Sequence, residues 1–177
     1  MIKLCVFDLD STIMDGETID ILAAANNASD EVASITKRSM NGELDFFESL
    51  TARVKFLKGM PLSKADEICK NLPIMPGASE LIATLKQKGI KVVVFSGGFH
   101  IATDKMQEKL KFDANFANIL HHKDGILTGE VGGEMMFGSS KGEMIDRLKE
   151  LLNLDKSEIM CVGDGANDVS MFRKCDA

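Results

Sequence analysis

Two aspartates separated by a single residue follow the first apolar run of the chain. The run spans residues 2–6 and continues into Phe7, after which Asp8 and Asp10 stand together. Near-continuous apolar runs of this length are typical of strands that are covered on both faces, as in a parallel sheet. The sequence therefore predicts a pair of carboxylates at the carboxyl end of a buried strand, the edge at which parallel sheets bind ligands.

Two further apolar runs also end in polar or glycine-rich sequence. Residues 90–95 lead into Ser96-Gly97-Gly98, and residues 158–162 lead into the segment GDGAND at residues 163–168. Because the carboxyl ends of parallel strands meet at one edge of a sheet, we expect the three strand ends to form one crevice. The polar side chains that this arrangement would bring together are Asp8, Asp10, Thr12, Ser96, Asp164, Asn167 and Asp168.

Four carboxylates in one crevice repel one another unless a cation lies among them. Mg²⁺ suits such a site, because it takes one or two carboxylates and keeps positions open for phosphate. Lys141 could add a fixed positive charge. One carboxylate can attack phosphorus, a second can move protons to and from the reacting oxygens, and backbone N–H groups can hold phosphate. The pattern thus predicts Mg²⁺-dependent phosphoryl transfer.

Helical segments precede two of the predicted strands and set the expected fold class. Apolar residues recur at helical spacing over residues 78–88 and 141–153, and an apolar run follows each segment. Helix followed by strand, repeated along the chain, predicts a doubly wound α/β domain with a parallel, Rossmann-like sheet. Asp124-Gly125, in the middle of residues 119–131, predicts a β-hairpin.

The pattern changes after the first strand, where a long segment contains no strand-like run. Its apolar spacing predicts four helical stretches, at residues 15–26, 30–41, 43–58 and 63–70. Pro73 and Pro76 mark the return to the sheet. We therefore expect a discontinuous α/β core of residues 1–13 and 73–177, and a small all-helical cap of residues 14–72 inserted after the first strand.

In their order, the motifs resemble those of the phosphatases of the haloacid dehalogenase (HAD) superfamily and, among these, the phosphoserine phosphatase family. The DxDxT motif corresponds to residues 8–12, the strand ending in Ser-Gly-Gly to residues 90–98, the isolated lysine to Lys141, and GDGxND to residues 163–168. The resemblance covers nearly the whole chain, with the helical insertion in the position of the family's cap. It implies an α/β core carrying a helical cap.

The resemblance also implies a role for each motif residue. Asp8 would be the nucleophile that becomes an aspartyl phosphate, and Asp10 would be the general acid and base. The implied ligands of Mg²⁺ are the carboxylates of Asp8 and Asp164 and the main-chain carbonyl of Asp10. Phosphate would be held by Ser96, Gly97 and Lys141, Asn167 would position phosphate or water, and Thr12 and Asp168 would support these groups from behind.

The predicted cap carries the residues implied to choose the substrate. Glu17 opens the segment ETID, which resembles a family signature, and Met40, Phe46 and Arg53 match the family's cap positions. The residues themselves support Arg53, because it interrupts an otherwise apolar helical stripe formed by Phe46, Leu50 and Leu57. A fork of donors facing a pocket suits a substrate carboxylate, and Glu17 would hold the ammonium group of the same substrate.

The activity implied by the resemblance is hydrolysis of O-phospho-L-serine to L-serine and phosphate, the last step of serine biosynthesis. Two alternatives share the same motifs: a phosphotransferase that passes the phosphoryl group to another alcohol such as homoserine, and a phosphatase for another small phosphorylated metabolite. A non-enzymatic binding module on this fold would be expected to lack Asp8 or Asp10, and both are present.

The composition narrows the expected partners and location. A net charge of −6 offers no basic surface for nucleic acid or an anionic membrane. No apolar run is long enough to span a bilayer, and we see no secretory signal at the start of the sequence. The four cysteines are widely spaced along the chain, which is typical of proteins whose thiols stay reduced. We expect a cytoplasmic enzyme with a small-molecule substrate, either a monomer or a homodimer.

His100 and the C-terminus depart from the family pattern. His100 lies in a segment expected to face the crevice, and no role is assigned to it. The chain ends at Ala177, whereas the family continues for a further strand or two with their helices. We therefore expect an unpaired sheet edge beside the GDGAND segment, with lower stability or more association than an extended chain would have.

Overall fold

The computed structural model describes residues 1–177 and contains one five-stranded sheet with helices on both faces. The strands are β1 (Leu4–Phe7), β2 (Lys91–Phe99), β3 (Ala114–Lys123), β4 (Ile126–Gly133) and β5 (Ile159–Val162). The helices are α1 (Thr18–Ala25), α2 (Ser29–Met40), α3 (Phe46–Val54), α4 (Leu62–Lys70), α5 (Ala78–Gln87), α6 (His100–Leu110), α7 (Ser140–Leu152) and α8 (Val169–Phe172). None of them combines the length and the apolar character that a membrane crossing requires.

The sheet has the strand order β4-β3-β2-β1-β5, which places β1 between two parallel partners. Leu4 pairs with Lys91 of β2 on one side and with Ile159 of β5 on the other. All four residues of β1 are buried, because helices cover both faces of the sheet, and this explains the continuous apolar run. The predicted α/β class with a parallel, Rossmann-like sheet is confirmed, and β4 adds one antiparallel edge strand.

The β3–β4 hairpin is also as predicted. β3 runs parallel to β2, and β4 returns antiparallel to β3. Asp124 and Gly125 form the turn with φ angles of 51° and 77°, the left-handed conformation that two-residue hairpin turns require.

The two faces of the sheet bury separate apolar clusters. On one face, Val6 and Phe95 pack with Ile145 of α7 and Met171 of α8. On the other face, the sheet residues Phe7 and Val94 belong to a larger cluster that also contains Ile82 of α5 and Met106 of α6. Alternating strand residues therefore point to alternate layers, as the geometry of a strand dictates.

The segment between β1 and α5 is helical, as its periodicity predicts. Its four helices share the larger apolar cluster with the sheet, through Leu22 of α1, Val32 of α2, Leu50 of α3 and Ala65 of α4. The loop before α4 also hydrogen-bonds to β4, since the Gly59 N–H donates to the Leu127 carbonyl at 3.0 Å. The helical insertion thus packs directly on the sheet and its hairpin, and the division into core and cap residues stays a prediction.

One strand is longer than predicted. The Ser96-Gly97-Gly98 segment, expected to follow the strand, lies inside β2, which continues to Phe99. The pairing of β2 with β3 shifts between Phe95 and Phe99, so the glycine-rich segment bulges from the ladder before the strand resumes. Glycines in a strand indicate such a bulge as well as a turn, and the sequence does not separate the two.

Candidate active site

Asp8 stands directly after β1 and has only 5% of its surface exposed. Its Oδ1 atom accepts a hydrogen bond from the Leu9 N–H at 2.7 Å and lies 2.8 Å from Nζ of Lys141. Lys141, in the first turn of α7, is equally buried and donates to Oδ1 of Asp168 at 2.5 Å. The side chains Asp8, Lys141 and Asp168 thus form a chain of buried charges in which one lysine serves two carboxylates.

The electrostatics of Asp8 reflect this burial. Desolvation raises the pKa of Asp8 above its ordinary value, and the charge of Lys141 opposes the shift. A cation bound beside Asp8 would act in the same direction as Lys141: it would lower the pKa of Asp8 and favour the carboxylate form. Leu9 and Lys141 both engage Oδ1, which leaves Oδ2 as the oxygen available for a reacting group.

Asp10 is held through both of its carboxyl oxygens. Oδ1 accepts bonds from the N–H and the hydroxyl of Thr18, at 2.7 Å and 2.5 Å, and Oδ2 accepts a longer bond of 3.4 Å from the Ser96 hydroxyl. Desolvation nevertheless raises the pKa of Asp10, which favours its protonated form. An oriented carboxyl group of this kind is suited to donate a proton to a leaving oxygen and to take one from water.

The bulge of β2 forms a backbone wall beside these carboxylates. A Cβ atom at Gly97 would lie 2.6 Å from Cζ of Phe46, and one at Gly98 would lie 2.8 Å from Oδ2 of Asp10. Only glycine fits at either position without displacing a neighbour. The main chain of Gly97 and Gly98 is therefore exposed to the cavity, where a phosphate group could approach it closely.

Asp168 organises the loop that follows β5. Its Oδ2 atom accepts the N–H groups of Asp164 and Gly165, at 3.0 Å and 2.9 Å, while Oδ1 takes the bond from Lys141. A Cβ atom at Gly163 would clash with this carboxylate. Asp164 is instead exposed and accepts a bond from the Thr12 hydroxyl at 3.5 Å. Thr12 and Asp168 thus contact the carboxylates and loops of the site without lining the cavity themselves.

The carboxylates fit a divalent metal ion. Asp8, Asp164 and Asp168 each bring an oxygen atom within 4.8 Å of the others. Both oxygens of Asp168 already accept hydrogen bonds, so Asp8 and Asp164 are the side chains with capacity for a cation. A set made only of oxygen donors suits a hard ion such as Mg²⁺ rather than a metal that prefers nitrogen or sulfur.

These groups surround a cavity of about 180 Å³ at the junction of the sheet and the helical insertion. Carboxylates and backbone of the sheet line one wall, and an aromatic ring, two aliphatic side chains, one arginine and one glutamate of the insertion line the other. The lining residues are Asp8, Asp10, Glu17, Ile19, Phe46, Leu50, Arg53, Gly97, Gly98, Phe99, Asp164, Gly165 and Asn167.

Three predicted residues of the helical insertion reach this cavity. Phe46 packs against Gly97, and Arg53 is half-buried with its Nε donating to the Ser49 carbonyl at 3.3 Å. Glu17 accepts a bond from the Ser11 hydroxyl at 2.7 Å. The pKa of Glu17 is raised to about 7 by desolvation and by the charge of Asp10. The insertion therefore presents one cationic and one acidic group to a bound molecule.

Met40, also predicted to bind substrate, is not brought to the cavity. It ends α2, and 84% of its surface is exposed. The only buried residue of α2 is Val32, and Met40 is not among the residues that line the cavity. The family position that predicted Met40 says nothing about which way this turn faces.

Ser96 and Lys141, predicted to hold phosphate, do not line the cavity as Gly97 does, and that role stays a prediction. Both are buried behind the cavity wall, with 0% and 2% of their surface exposed. Ser96 contacts Asp10, and Lys141 contacts Asp8. In this structure both side chains reach the site by contacting its aspartates.

Thr18 is the clearest residue that the sequence reasoning missed. It supplies both bonds to Oδ1 of Asp10, and it is buried. Thr18 follows Glu17 in the ETID segment, but a threonine at a helix start is ordinarily expected to cap its own helix, so the sequence did not point to a bond with Asp10. The cavity walls formed by Ile19, Leu50 and Phe99 were also not predicted, because apolar residues at a site do not differ in type from core residues.

Comparison with known families agrees with the geometry. The family of haloacid dehalogenase-like hydrolases matches residues 2–176. A phosphoserine phosphatase of Campylobacter jejuni subsp. doylei is 59% identical over 98% of this chain and 84% of its own length. A phosphoserine phosphatase of Wolinella succinogenes is 63% identical over 96% of this chain and 82% of its own length.

Solved structures agree as well. A phosphoserine phosphatase carrying an analogue of its phospho-aspartyl intermediate superimposes with a TM-score of 0.92, at 44% identity over 98% of this chain and 83% of the other. A substrate-bound phosphoserine phosphatase superimposes with a TM-score of 0.93, at 43% identity over 99% of this chain and 83% of the other.

Proposed function

Because this chain belongs to the haloacid dehalogenase-like hydrolases and, within them, to the phosphoserine phosphatase family, we propose that it hydrolyses O-phospho-L-serine to L-serine and phosphate. It is a phosphoric monoester hydrolase with a small-molecule substrate, and the proposed reaction is the last step of serine biosynthesis. The observation that carries the proposal is a single cavity with Asp8 and Asp10 on one wall and Arg53 and Glu17 on the other.

In the first half of the proposed reaction, Oδ2 of Asp8 attacks phosphorus. A bond forms between this oxygen and phosphorus while the bond from phosphorus to the serine oxygen breaks. Asp10, protonated and held by Thr18, gives its proton to the leaving serine oxygen. The products of this half are L-serine and an aspartyl phosphate on Asp8.

In the second half, water attacks the phosphorus of the aspartyl phosphate. Asp10, now a carboxylate, takes a proton from that water, and the bond between phosphorus and Asp8 breaks to release phosphate. Lys141 lies 2.8 Å from Oδ1 of Asp8 in a buried setting. Its charge stabilises the Asp8 carboxylate as it leaves, because an ion pair shielded from water is stronger than an exposed one.

A divalent metal, which the family generally uses, is proposed to be Mg²⁺. Asp8 and Asp164 would hold it through their carboxylates, and Asp10 through its main-chain carbonyl. When bound, it supplies positive charge that reduces repulsion between the phosphate oxygens and the site carboxylates.

Substrate choice is proposed to lie with the helical insertion. Phosphoserine presents a carboxylate and an ammonium group on one carbon atom, and Arg53 and Glu17 present the complementary charges. Phe46, packed on Gly97, keeps water from the reacting end.

The four cysteines are free buried thiols, which supports the expected cytoplasmic location.

The proposal is tested by a screen for phosphate release from phosphorylated metabolites. O-phospho-L-serine should give the highest kcat/KM, and phosphoethanolamine, which lacks the carboxylate, should be a poor substrate. Removal of metal with EDTA should abolish turnover, and added Mg²⁺ should restore it. Faster turnover of a phosphorylated metabolite without an amino-acid group would contradict the substrate, and full activity in EDTA would contradict the metal site.

A further inference from the structure

Asn118, in the middle of β3, is a fully buried polar residue outside the cavity wall. Its side-chain amide makes three hydrogen bonds to main-chain groups. Nδ2 donates to the carbonyls of Gly97 and Met135, both at 3.1 Å, and Oδ1 accepts from the Met135 N–H at 2.9 Å. A buried amide with all of these bonds made fixes its partners firmly, because each bond lost would leave a buried polar group unpaired.

The first of these bonds fixes one peptide plane of the β2 bulge. In the trans peptide between Gly97 and Gly98, the carbonyl and the N–H point in opposite directions. Asn118 binds the carbonyl, and the N–H of Gly98 donates to Oγ of Ser96 at 2.9 Å. Ser96 in turn donates its hydroxyl proton to Oδ2 of Asp10. A continuous series of hydrogen bonds therefore links Asn118 to Asp10.

The remaining two bonds fix the segment that leads into α7. Met135 follows β4 and precedes the helix whose first turn carries Lys141. The close approach of this segment depends on Gly133, where a Cβ atom would lie 2.7 Å from Cα of Asn118. The side chain of Asn118 thus connects two segments. One is the β2 bulge, which supports Asp10, and the other is the segment that precedes Lys141, which contacts Asp8.

We propose that Asn118 is a positioning residue for the reaction: it orients the Gly97–Gly98 peptide and, through Ser96, the carboxyl group of Asp10. The β2 bulge has left the β3 ladder at this point, so the ladder does not supply the bond to the Gly97 carbonyl. Asn118 supplies it instead. This inference rests on the proposed phosphate-ester chemistry of the same cavity.

The test compares Asn118→Asp and Asn118→Ser with Asn115→Ala. Asn118→Asp keeps the shape of the side chain but replaces the amide donor with an oxygen that repels both carbonyls, and Asn118→Ser keeps only a shorter hydroxyl. Asn115 is the matched control, because it lies on the same strand and its amide also makes several side-chain bonds, to Thr103, Asp104 and Gln107. Its partners lie on α6, outside the cavity wall.

In protein that is folded at the assay temperature, Asn118→Asp should lower kcat by about tenfold or more, for both phosphoserine and a small aryl phosphate. The fall in kcat should exceed any rise in KM, because Asp10 acts on the leaving oxygen and not on substrate binding. Asn118→Ser should fall between wild type and the Asp variant, and Asn115→Ala should keep kcat within about twofold even if its Tm falls. Folded Asn118 variants with wild-type kcat would overturn the proposal.

A measurement on the unmodified protein covers the case in which no Asn118 variant folds. Saturation with inorganic phosphate should shift the NMR signals of the Asn118 side-chain amide and leave those of Asn115 in place. Unchanged Asn118 signals in protein that does bind phosphate would overturn the proposal. Wild-type turnover of phosphoserine, measured beside these assays, tests the proposed function separately.

Discussion

The sheet edge and the helical insertion contribute to one cavity in different ways. At the sheet edge, Asp8, Asp10 and Asp168 are each held by two or more bonds from buried or backbone groups. In the insertion, Arg53 makes a single bond to its own helix and Glu17 a single bond to Ser11. The groups that act on phosphorus are thus fixed before substrate arrives, whereas the groups that face the amino acid retain freedom to adjust.

This difference has a physical reason. Rate depends on placing the reacting groups accurately before the reaction, since reorganising them during the reaction would raise the barrier. Selection of an amino acid needs only side chains of complementary charge, and these can adjust their positions as the molecule binds. Changes at the sheet edge should therefore affect every phosphate ester, and changes in the insertion should affect only substrates that carry the amino-acid group.

The largest effect is expected at Asp8. Asp8→Asn should lower turnover by several orders of magnitude for phosphoserine and an aryl phosphate alike, because the attacking oxygen is lost. Circular dichroism should show an intact fold. In the wild-type protein, acid quenching after labelled substrate should trap the label on Asp8. Label recovered on a serine, histidine or cysteine would contradict the nucleophile.

Arg53 should show a selective loss. Arg53→Ala should lower kcat/KM for phosphoserine by about tenfold to a thousandfold, because a desolvated Arg–carboxylate contact contributes a few kcal/mol. The same variant should turn over a small aryl phosphate at nearly the wild-type rate, since that substrate has no carboxylate. Equal losses for the two substrates would mean that Arg53 supports the fold of the insertion instead.

The smallest effect is expected from the titration of Glu17. Its pKa is raised to about 7, so the group is neutral below that pH and becomes a carboxylate as the pH rises through it. KM for phosphoserine should therefore fall by a few-fold between about pH 6 and pH 8, relative to KM for an aryl phosphate measured in parallel. Comparison of the two substrates largely removes the ionisation of the phosphate itself, which is similar in both.

Glu17→Gln provides the control for this titration, because glutamine has nearly the same shape and no charge in this range. The pH dependence of the KM ratio should disappear in this variant. A ratio that still changes with pH in the Gln variant would assign the titration to another group.

The sheet edge could be predicted from sequence more fully than the insertion. Asp8, Asp10 and Asp164 follow apolar runs, and parallel strands bring such positions to one edge whatever the details of packing. The hairpin at Asp124-Gly125 was predictable for a similar reason, since two residues determine its turn. These are local signals with a fixed geometric consequence.

The remainder depends on tertiary packing, which local patterns do not determine. Met40 and Phe46 are both large apolar residues near the ends of helices in the insertion, yet one lies in solvent and the other packs on Gly97. The bonds of Thr18 to Asp10 and of Asn118 to Gly97 join residues whose types are ordinary in helices and strands. Only the assembled structure distinguishes these residues from others of the same type.

The central position of β1 has a consequence for the synthesis of the chain on the ribosome. β1 is translated before the other strands, but one of its two partners, β5, is translated much later, and the bond between Thr12 and Asp164 joins residues 152 positions apart. Lys141 and Asp168, which set the charge around Asp8, also emerge late. A nascent chain therefore carries its nucleophile long before it can catalyse, with an apolar strand open to other chains, and we expect chaperone contact during that interval.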